Sequence, residues 1–463
     1  MRVCAGTAKH IIFTPPRPDE AELGLEDLDK LHTDTLQHAT GIALSLQESA
    51  RETNDKRSTF VAATPAGFHS EFKGAQAQLR AYTEVTPSDF VSRLLAQCTA
   101  TPGLSRVFEE LLLQGRGNEL YISQPTGLYS ALSGLTFGEL MPYFPRAVAL
   151  GLVSPTEDGT GGLHLAPPPS RKLEPSDRLV LLAGSSTDTK PSRRALARSK
   201  QTTMVTSQVD TLSREVELPP QRVAVLNWSP DKGDIITQID DFAPKGSAIT
   251  LLCDGELPSE LREMRLRHCT FTHVNGDAAD PVALESLKLQ SIDSIVVLQS
   301  GAGTDEDDAH SLLCVHAVQE ALRRAGASLA GASAPRIIGE LSDPQMEKLL
   351  CERWPRVCND LLLPRELTSG TLVQFSVQPA LRAVYGELLG AEGKEVLLRP
   401  AGLYVEDGEE VSFAQLSNRA QLRGEIVMGV QRLGSELPEL NPGIAFRMKL
   451  QPGDQVVVIG DAF

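Results

Sequence analysis

Short apolar runs alternate with amphipathic segments through the second half of the chain, from residue 222 to residue 363. Each run is rich in Val, Ile and Leu, and each is followed by a stretch with helical spacing of its apolar residues. The predicted strands are "RVAVLN", "AITLLC", "FTHV", "SIVVLQ", "RIIGEL" and "DLLL". Strands this uniformly apolar are typical of a parallel sheet that is covered on both faces. The pattern therefore predicts an α/β fold with a doubly wound, Rossmann-like parallel sheet.

One segment of the chain occurs twice, first as "LLAQCTATPGLSRVFEELL" (94–112) and again as "LVQFSVQPALRAVYGELL" (372–389). The identical residues, each pair 277 positions apart, are Gln97 and Gln374, Pro102 and Pro379, Leu104 and Leu381, Val107 and Val384, Glu110 and Glu387, Leu111 and Leu388, and Leu112 and Leu389. Nearly the same offset relates "TFGELM" to "SFAQLS" and "EPSDRLVLLAG" to "QPGDQVVVIG". A constant offset over about a hundred residues predicts a duplicated domain.

The first copy is predicted to be N-terminally truncated, because subtracting 277 from Arg222 gives position −55. "HIIFTPP" (10–16) corresponds to the fourth strand of the second copy, and "TFVAATP" (59–65) corresponds to the fifth. "DTLQHATGIALSLQES" (34–49) corresponds to the helix between them. Half a sheet would expose a strand edge, so we expect a fragment of a longer protein or a partner that completes the sheet.

The duplication divides the chain into five predicted segments. They are a partial N-lobe with the second half of a sheet (1–85), a linking helix and small α+β lobe (86–184), a flexible linker (185–220), a complete second N-lobe (221–365), and a second linking helix and small α+β lobe (366–463). The linker is rich in Ser and Thr and ends in Pro-Pro, a composition that is typical of flexible connections.

Composition and charge exclude several classes of protein. The net charge of −16 argues against a nucleic-acid partner, which requires clustered Lys and Arg. The 7 cysteines include no CxxC pair, which indicates reduced thiols. No apolar run approaches the roughly 20 residues of a membrane span, so we expect the chain as given to be soluble. No GxSxG or HExxH motif or catalytic Cys/His pairing occurs, so we do not expect an enzyme.

Ligands of open α/β sheets bind beyond the carboxyl ends of the strands. The residues predicted to line this crevice are Asn227, Ser229, Asp254, Gly276 and Asp277. The first turn reads "NWSPDKG" and lacks the GxGxxG pattern that lets backbone amides approach a pyrophosphate, so NAD is not expected.

Two acidic segments near the crevice each have two interpretations. Asp277 suits either a ligand or the local turn, whereas Asp280 before Pro281 predicts a helix N-cap. The acidic cluster of "GAGTDEDDAH" contains Asp305, Asp307 and Asp308. These carboxylates are candidate ligands for Ca²⁺, and they equally suit the N-terminus of the helix that follows.

The stretch "VNGDAADPVALESLKLQSIDSIVVLQS" (274–300) resembles the RCK, or TrkA-N, domain, and "LQPGDQVVVIG" resembles the last strand of the TrkA-C domain. Three longer stretches, in this order and spacing, resemble the Castor/Pollux family of ion channels: "LLAQCTATPGLSRVFEELL", "RVAVLNWSPDKGDIITQIDDFAPKGSAITLL" and "LLRPAGLYVEDGEEVSFAQLSNRAQLRGEIVMG". The resemblance covers residues 86–184 and 222–463, and more weakly 10–85.

The resemblance implies the regulatory part of a cation channel in a nuclear or plastid envelope. In that family, pore helices precede the RCK units, which form a tetrameric gating ring with calcium as a ligand. We therefore expect this chain to be a gating-ring region that acts on a pore domain outside it. The alternative is a stand-alone nucleotide- or cation-binding subunit that docks on a separate transporter. An NAD-dependent oxidoreductase is disfavoured by "NWSPDKG".

The repeated amphipathic helix, 88–112 and 366–390, is the predicted interaction surface. Val384, Tyr385, Leu388 and Leu389 share one helical face. The same stripe equally suits the core of a single domain.

Overall fold

The structure is a computed structural model, which describes part of the chain. The described residues are 10–13, 59–63, 82–85, 87–113, 117–155, 162–193, 219–228, 232, 234–257, 259–299, 305–326, 335–353, 358–435 and 437–461. The predicted helix at 34–49 lies outside them. No helix within these ranges is both long and apolar enough to cross a membrane.

The described part of the first N-lobe contains three parallel strands in the order β1-β2-β3. They are β1 (His10–Phe13), β2 (Thr59–Ala63) and β3 (Tyr82–Val85). Val61 pairs with Thr83 in this sheet.

The segment predicted as one linking helix is a pair of helices, α1 (Pro87–Ala100) and α2 (Leu104–Leu112). The prediction of a single helix was wrong because Pro102 disfavours continuation, and Gly103 has a φ of 84° that side chains rarely adopt. The small lobe that follows is an antiparallel sheet in the order β4-β7-β5-β6. Its strands are β4 (Glu119–Ile122), β5 (Ala147–Ser154), β6 (Gly162–Leu165) and β7 (Arg178–Ala183).

The start of the predicted linker 185–220 contacts the first small lobe. The Ser192 amide donates to the Tyr143 carbonyl at 2.8 Å, and the Tyr129 hydroxyl donates to the Thr189 carbonyl at 3.0 Å. Residues 194–218 lie outside the described part of the chain, and the five-segment division stays a prediction.

The second N-lobe is a six-stranded parallel sheet, which confirms the predicted doubly wound fold. The strand order is β10-β9-β8-β11-β12-β13. Its strands are β8 (Arg222–Leu226), β9 (Ser247–Cys253), β10 (Cys269–Asn275), β11 (Ser294–Val297), β12 (Arg336–Glu340) and β13 (Cys358–Leu362). The helices are α3 (Ile235–Phe242), α4 (Ser259–Glu263), α5 (Pro281–Glu285), α6 (Asp305–Arg324) and α7 (Pro344–Arg353).

The second linking segment repeats the first as two helices, α8 (Pro364–Val377) and α9 (Leu381–Leu388), separated at Pro379. The second small lobe contains β14 (Glu395–Pro400), β15 (Glu410–Ser412), α10 (Phe413–Gln421), β16 (Ile426–Gln431), β17 (Glu439–Leu440), β18 (Arg447–Lys449) and β19 (Gln455–Gly460). Its main sheet, β14-β19-β16-β17, has the topology of β4-β7-β5-β6.

The duplication extends to local irregularities of the two small lobes. The ladder of β5 with β7 shifts register between Ala149 and Gly151, and that of β16 with β19 shifts between Val427 and Gly429. A methyl group on either glycine would overlap the backbone of the neighbouring strand. Both copies therefore require glycine at the same β-bulge.

The two units share one hydrophobic core. A single cluster of buried side chains includes Leu94 and Phe108 of the first unit and Val225 and Tyr385 of the second. Helix α1 packs against α3 of the second N-lobe, and α8 packs against β1 and β2 of the first sheet. Each linking segment thus covers the other unit's sheet.

Candidate functional site

The crevice of the second N-lobe opens where the strand order reverses, between β8 and β11. Asn227 follows β8 in a left-handed conformation with a φ of 67°. Its side-chain amide donates to the Leu298 carbonyl at 3.1 Å and approaches the Cys314 Sγ at 3.6 Å. The side chain of Asn227 therefore joins β8 to β11 inside the lobe.

The other predicted crevice residues are distributed along the same edge. Asp254 is exposed after β9, and Ser229 lies outside the described residues. A methyl group on Gly276 would come within 3.1 Å of the Ala283 Cβ, so glycine there allows α5 to pack closely. The Asp277 carboxylate accepts a hydrogen bond from the Ala279 amide at 2.8 Å and lies 4.0 Å from His310 Nε2.

The Asp280 side chain accepts a hydrogen bond from the Val282 amide at 2.9 Å, with Pro281 in the first turn of α5. The predicted N-cap is therefore confirmed. As ligand residues, the five crevice candidates stay a prediction.

A buried polar network that the sequence analysis missed fills the floor of the crevice. Lys232 Nζ lies 2.5 Å from Glu340 Oε1, and the side chains are 9% and 0% exposed. The other Glu340 oxygen accepts from the Gln299 amide at 3.3 Å. The pair connects the turn after β8 to the end of β12, across β11.

The sequence contains one signal that could have predicted this network, namely a charged residue inside an apolar strand. Glu340 interrupts "RIIGEL", and a buried glutamate requires a partner. The partner lies 108 positions earlier, so spacing alone did not identify it.

The acidic cluster at the start of α6 is partly built into the same network. Asp308 is 1% exposed, and one carboxylate oxygen accepts from Gln299 Nε2 at 2.6 Å and from the Ser342 amide at 2.8 Å. Its other oxygen accepts from the Asp343 amide at 2.8 Å. Asp307 is partly exposed, and the side chain of Asp305 lies outside the described part of the chain.

Thiols near the crevice are held in their neutral form. Burial raises the pKa of Cys314 to about 11, and burial followed by the charge of Asp254 raises the pKa of Cys253. Neutral thiols are poor nucleophiles and poor metal ligands. Across the described ranges, no three His, Cys, Asp or Glu side chains are grouped so that they could hold a metal ion.

The repeated helices of the two units are joined to each other by buried hydrogen bonds. Gln97 Nε2 donates to the Leu388 carbonyl at 2.8 Å, and Gln374 Nε2 donates to the Leu111 carbonyl at 2.7 Å. Gln374 is the counterpart of Gln97, and Leu388 is the counterpart of Leu111. The two units therefore face each other across an approximate two-fold axis, with each glutamine binding the other unit's helix.

The predicted apolar stripe lies in this contact. Val384, Tyr385, Leu388 and Leu389 are at most 2% exposed. The Tyr385 hydroxyl lies 3.1 Å from the Leu111 carbonyl oxygen of the other unit and 2.9 Å from Gln374 Oε1. The stripe serves both of the roles that the sequence left open, since one shared core lies between the units.

The repeated glutamates hold each helix to its own small lobe. Glu110 accepts from the Asn118 amide at 3.2 Å, and Glu387 accepts from the Lys394 backbone. Burial raises the pKa of both carboxyls. The glutamines thus join the two units, whereas the glutamates connect α2 and α9 to the strands that follow them.

The fold of the chain is similar to that of an RCK-type gating ring. The human SLO3 gating ring superposes with a TM-score of 0.61 at 14% identity, over 97% of this chain and 94% of that one. At this identity the match establishes the fold alone.

Sequence comparison relates the chain to one group of ion channels. The profile described as "Castor and Pollux, part of voltage-gated ion channel" matches residues 88–199. Ion channel CASTOR of Lotus japonicus is 27% identical over 77% of this chain, and probable ion channel POLLUX of Arabidopsis thaliana is 25% identical over 81%. The chain is similar to the Castor and Pollux ion channels, as its motifs predict. It spans 44% and 47% of the lengths of these two relatives.

Proposed function

We propose that this chain is the regulatory, gating-ring region of a Castor/Pollux-like cation channel and has no enzymatic activity of its own. The supporting observation is the reciprocal pair of glutamine hydrogen bonds, Gln97 to Leu388 and Gln374 to Leu111. This contact joins the two units directly. A change in the angle between them would move every element attached to either unit.

The proposed mechanism is allosteric and requires a ligand that binds two arrangements of the units with unequal affinity. The proposed partners are a pore domain in the same channel and further copies of this chain in a tetrameric ring. By family resemblance the channel would lie in a nuclear or plastid envelope. The Lys232–Glu340 pair favours this role over a nucleotide-binding subunit, because Lys232, a cation in the turn after β8, is already paired with a buried carboxylate.

The test of this proposal is a chimeric channel. The chain replaces the matching region of Lotus japonicus CASTOR, and ion currents are recorded across planar bilayers. We expect the chimera to conduct, and we expect Gln97→Ala with Gln374→Ala to change its open probability. The matched control is Gln451→Ala, an exposed glutamine of the second small lobe. An open probability that the interface substitutions leave unchanged, or that the control changes equally, would contradict the proposal.

Calcium is the proposed ligand, and Asp305, Asp307 and Asp308 are its proposed carboxylates. The three can be separated experimentally because Asp308 also has a structural role in the crevice network. We expect Asp305→Asn with Asp307→Asn to abolish the rise in melting temperature on adding calcium. Asp308→Asn should in addition lower the melting temperature without calcium. An unchanged calcium response in the Asp305/Asp307 variant would remove this cluster as the site.

A further inference from the structure

The buried network on the floor of the crevice ends at the start of helix α7. Asp308 accepts hydrogen bonds from the Ser342 and Asp343 amides, each at 2.8 Å. The Asp343 carboxylate in turn accepts from the Gln345 amide at 2.8 Å, and the Asp343 carbonyl accepts from the Glu347 amide at 3.3 Å. The position of α7 therefore depends on a carboxylate that belongs to the crevice network.

Helix α7 contacts the first unit through an ion pair. Glu347, in the first turn of α7, accepts a hydrogen bond from Arg106 Nη1 at 2.7 Å. The same nitrogen lies 2.9 and 3.1 Å from the two Glu109 oxygens. The three side chains are between 6% and 18% exposed. Hydrogen bonds between charged groups are strong where water is largely excluded, so this triad joins α7 firmly to α2.

Arg106 and Glu109 lie on α2, the helix that takes part in the contact between the units. The Leu111 carbonyl, near the end of α2, accepts from Gln374 Nε2 at 2.7 Å and lies 3.1 Å from the Tyr385 hydroxyl. A helix of 9 residues moves almost as one body, because its backbone hydrogen bonds hold each turn to the next. Consecutive polar contacts therefore lead from the floor of the crevice to the contact between the units.

We propose that the Arg106–Glu347 ion pair couples the crevice to the contact between the units. A change in the crevice that moves Asp308 shifts α7, and Glu347 then pulls Arg106 and α2 with it. The pair acts on the angle between the units and contacts no ligand itself. This inference rests on the proposed regulatory function, for which it supplies the route within the chain. The energetic coupling along this route is measurable without a pore.

A second contact between the second N-lobe and α2 offers an alternative route. Asp360, on β13, accepts from the Gly103 amide at 2.8 Å and from the Ser105 hydroxyl at 2.7 Å, at the start of α2. This contact holds α2 to the sheet whether or not α7 moves. The two routes differ in one respect, since removing the Glu347 carboxylate interrupts only the route through α7.

Hydrogen exchange followed by mass spectrometry measures the coupling on the full 463-residue chain. Gln299→Ala perturbs the crevice, because it removes a donor that lies 2.6 Å from Asp308 and changes no charge. We expect it to speed exchange of the amides of 107–112 at least about threefold. In a Glu347→Ala background, the same substitution should change those rates by less than about 1.5-fold. Asp308→Asn, the stronger perturbation, should give the same pattern with larger changes.

The matched control background is Glu409→Ala, because Glu409 forms an ion pair with Arg419 in the second small lobe, where the side chains are 32% and 19% exposed. There, Gln299→Ala should speed exchange at 107–112 by the same factor as in the wild type. A purely structural role of Glu347 would leave that factor unchanged in the Glu347→Ala background as well.

A Gln299→Ala effect that persists in the Glu347→Ala background would therefore overturn the inference and favour the route through Asp360. The absence of any effect at 107–112 in the wild type would overturn it too. A chimeric channel that fails to conduct would contradict the proposed function and leave this coupling measurement intact.

Discussion

Tyr385 and Phe108 occupy equivalent positions, 277 residues apart, but only one of them has a hydroxyl group. The Tyr385 hydroxyl satisfies Gln374 Oε1 at 2.9 Å. Among the described residues, the buried Gln97 Oε1 has no hydrogen-bond partner. The approximate two-fold axis thus identifies a missing donor that inspection of either unit alone would not reveal.

We expect Phe108→Tyr to stabilise the protein by about 1 kcal/mol, because its hydroxyl would reach Gln97 Oε1. Tyr385→Phe should destabilise it by about 1–3 kcal/mol, because Gln374 Oε1 would then be buried without a donor. Urea denaturation of both variants measures the two free energies of unfolding. A destabilising Phe108→Tyr would show that the two sides of the axis do not have equivalent space.

Glu395 is a buried carboxyl at the start of β14. Burial raises its pKa to about 7, and the nearby charge of Arg399 opposes this shift. The unfolded chain releases the proton near pH 4.5, whereas the folded chain retains it up to about pH 7. The stabilisation that the protonated carboxyl provides is therefore complete below about pH 4.5 and is lost as the pH rises to about 7.

We expect Glu395→Gln to raise the free energy of unfolding by about 2 kcal/mol above pH 7 and to change it little near pH 4.5. Thermal melts at about pH 5.5 and about pH 8 measure the difference in pH dependence. Glu410→Gln is the control, because that glutamate is exposed in an ion pair with Arg447. This substitution should change the free energy of unfolding by less than about 0.5 kcal/mol. A pH profile that the Glu395 substitution leaves unchanged would rule out this carboxyl as its source.

At the level of elements, two helical glycines differ in what surrounds them. A methyl group on Gly370 of α8 would overlap the Leu112 carbonyl oxygen of the other unit. A methyl group on Gly386 of α9 would meet nothing within 4 Å. Gly370 therefore sets how closely α8 approaches the end of α2.

We expect Gly370→Ala to destabilise the protein by about 1–3 kcal/mol, since the close helix contact cannot accept the added volume. Gly386→Ala is the matched control and should stabilise by up to about 1 kcal/mol through helix propensity alone. Chemical denaturation distinguishes the two. Equal effects of both substitutions would mean that the contact of Gly370 with Leu112 adapts freely.

The elements most accessible to sequence reasoning were those whose signal is local. The apolar runs predicted β8 through β13, and the repeat predicted one linking segment in each unit. Both signals lie in residues that are neighbours in the sequence. The break of each linking segment into two helices was missed, although Pro102 and Pro379 marked it. Contacts between residues far apart along the chain could not be predicted, because no sequence pattern pairs Lys232 with Glu340 or Thr99 with Arg336.

At the scale of the whole molecule, the net charge of −16 acts against association of copies into the proposed ring. Salt screens this repulsion, because the Debye length shortens from about 20 Å at 20 mM to about 6 Å at 300 mM. We expect self-association in analytical ultracentrifugation to increase over this range of salt. Association that weakens as salt rises would indicate an interface dominated by opposite charges.

The covalent link between the two units changes how their contact can evolve. In a dimer of identical chains, every substitution appears on both sides of the axis, so a change that improves one side is imposed on the other. Here one chain supplies both sides of the contact, so each side can mutate alone. Tyr385 at the position equivalent to Phe108, and Asp360 at the position equivalent to Thr83, are differences of the kind expected when the two sides are not constrained to be identical. A covalent link between the units thus permits the two sides of the axis to carry different residues.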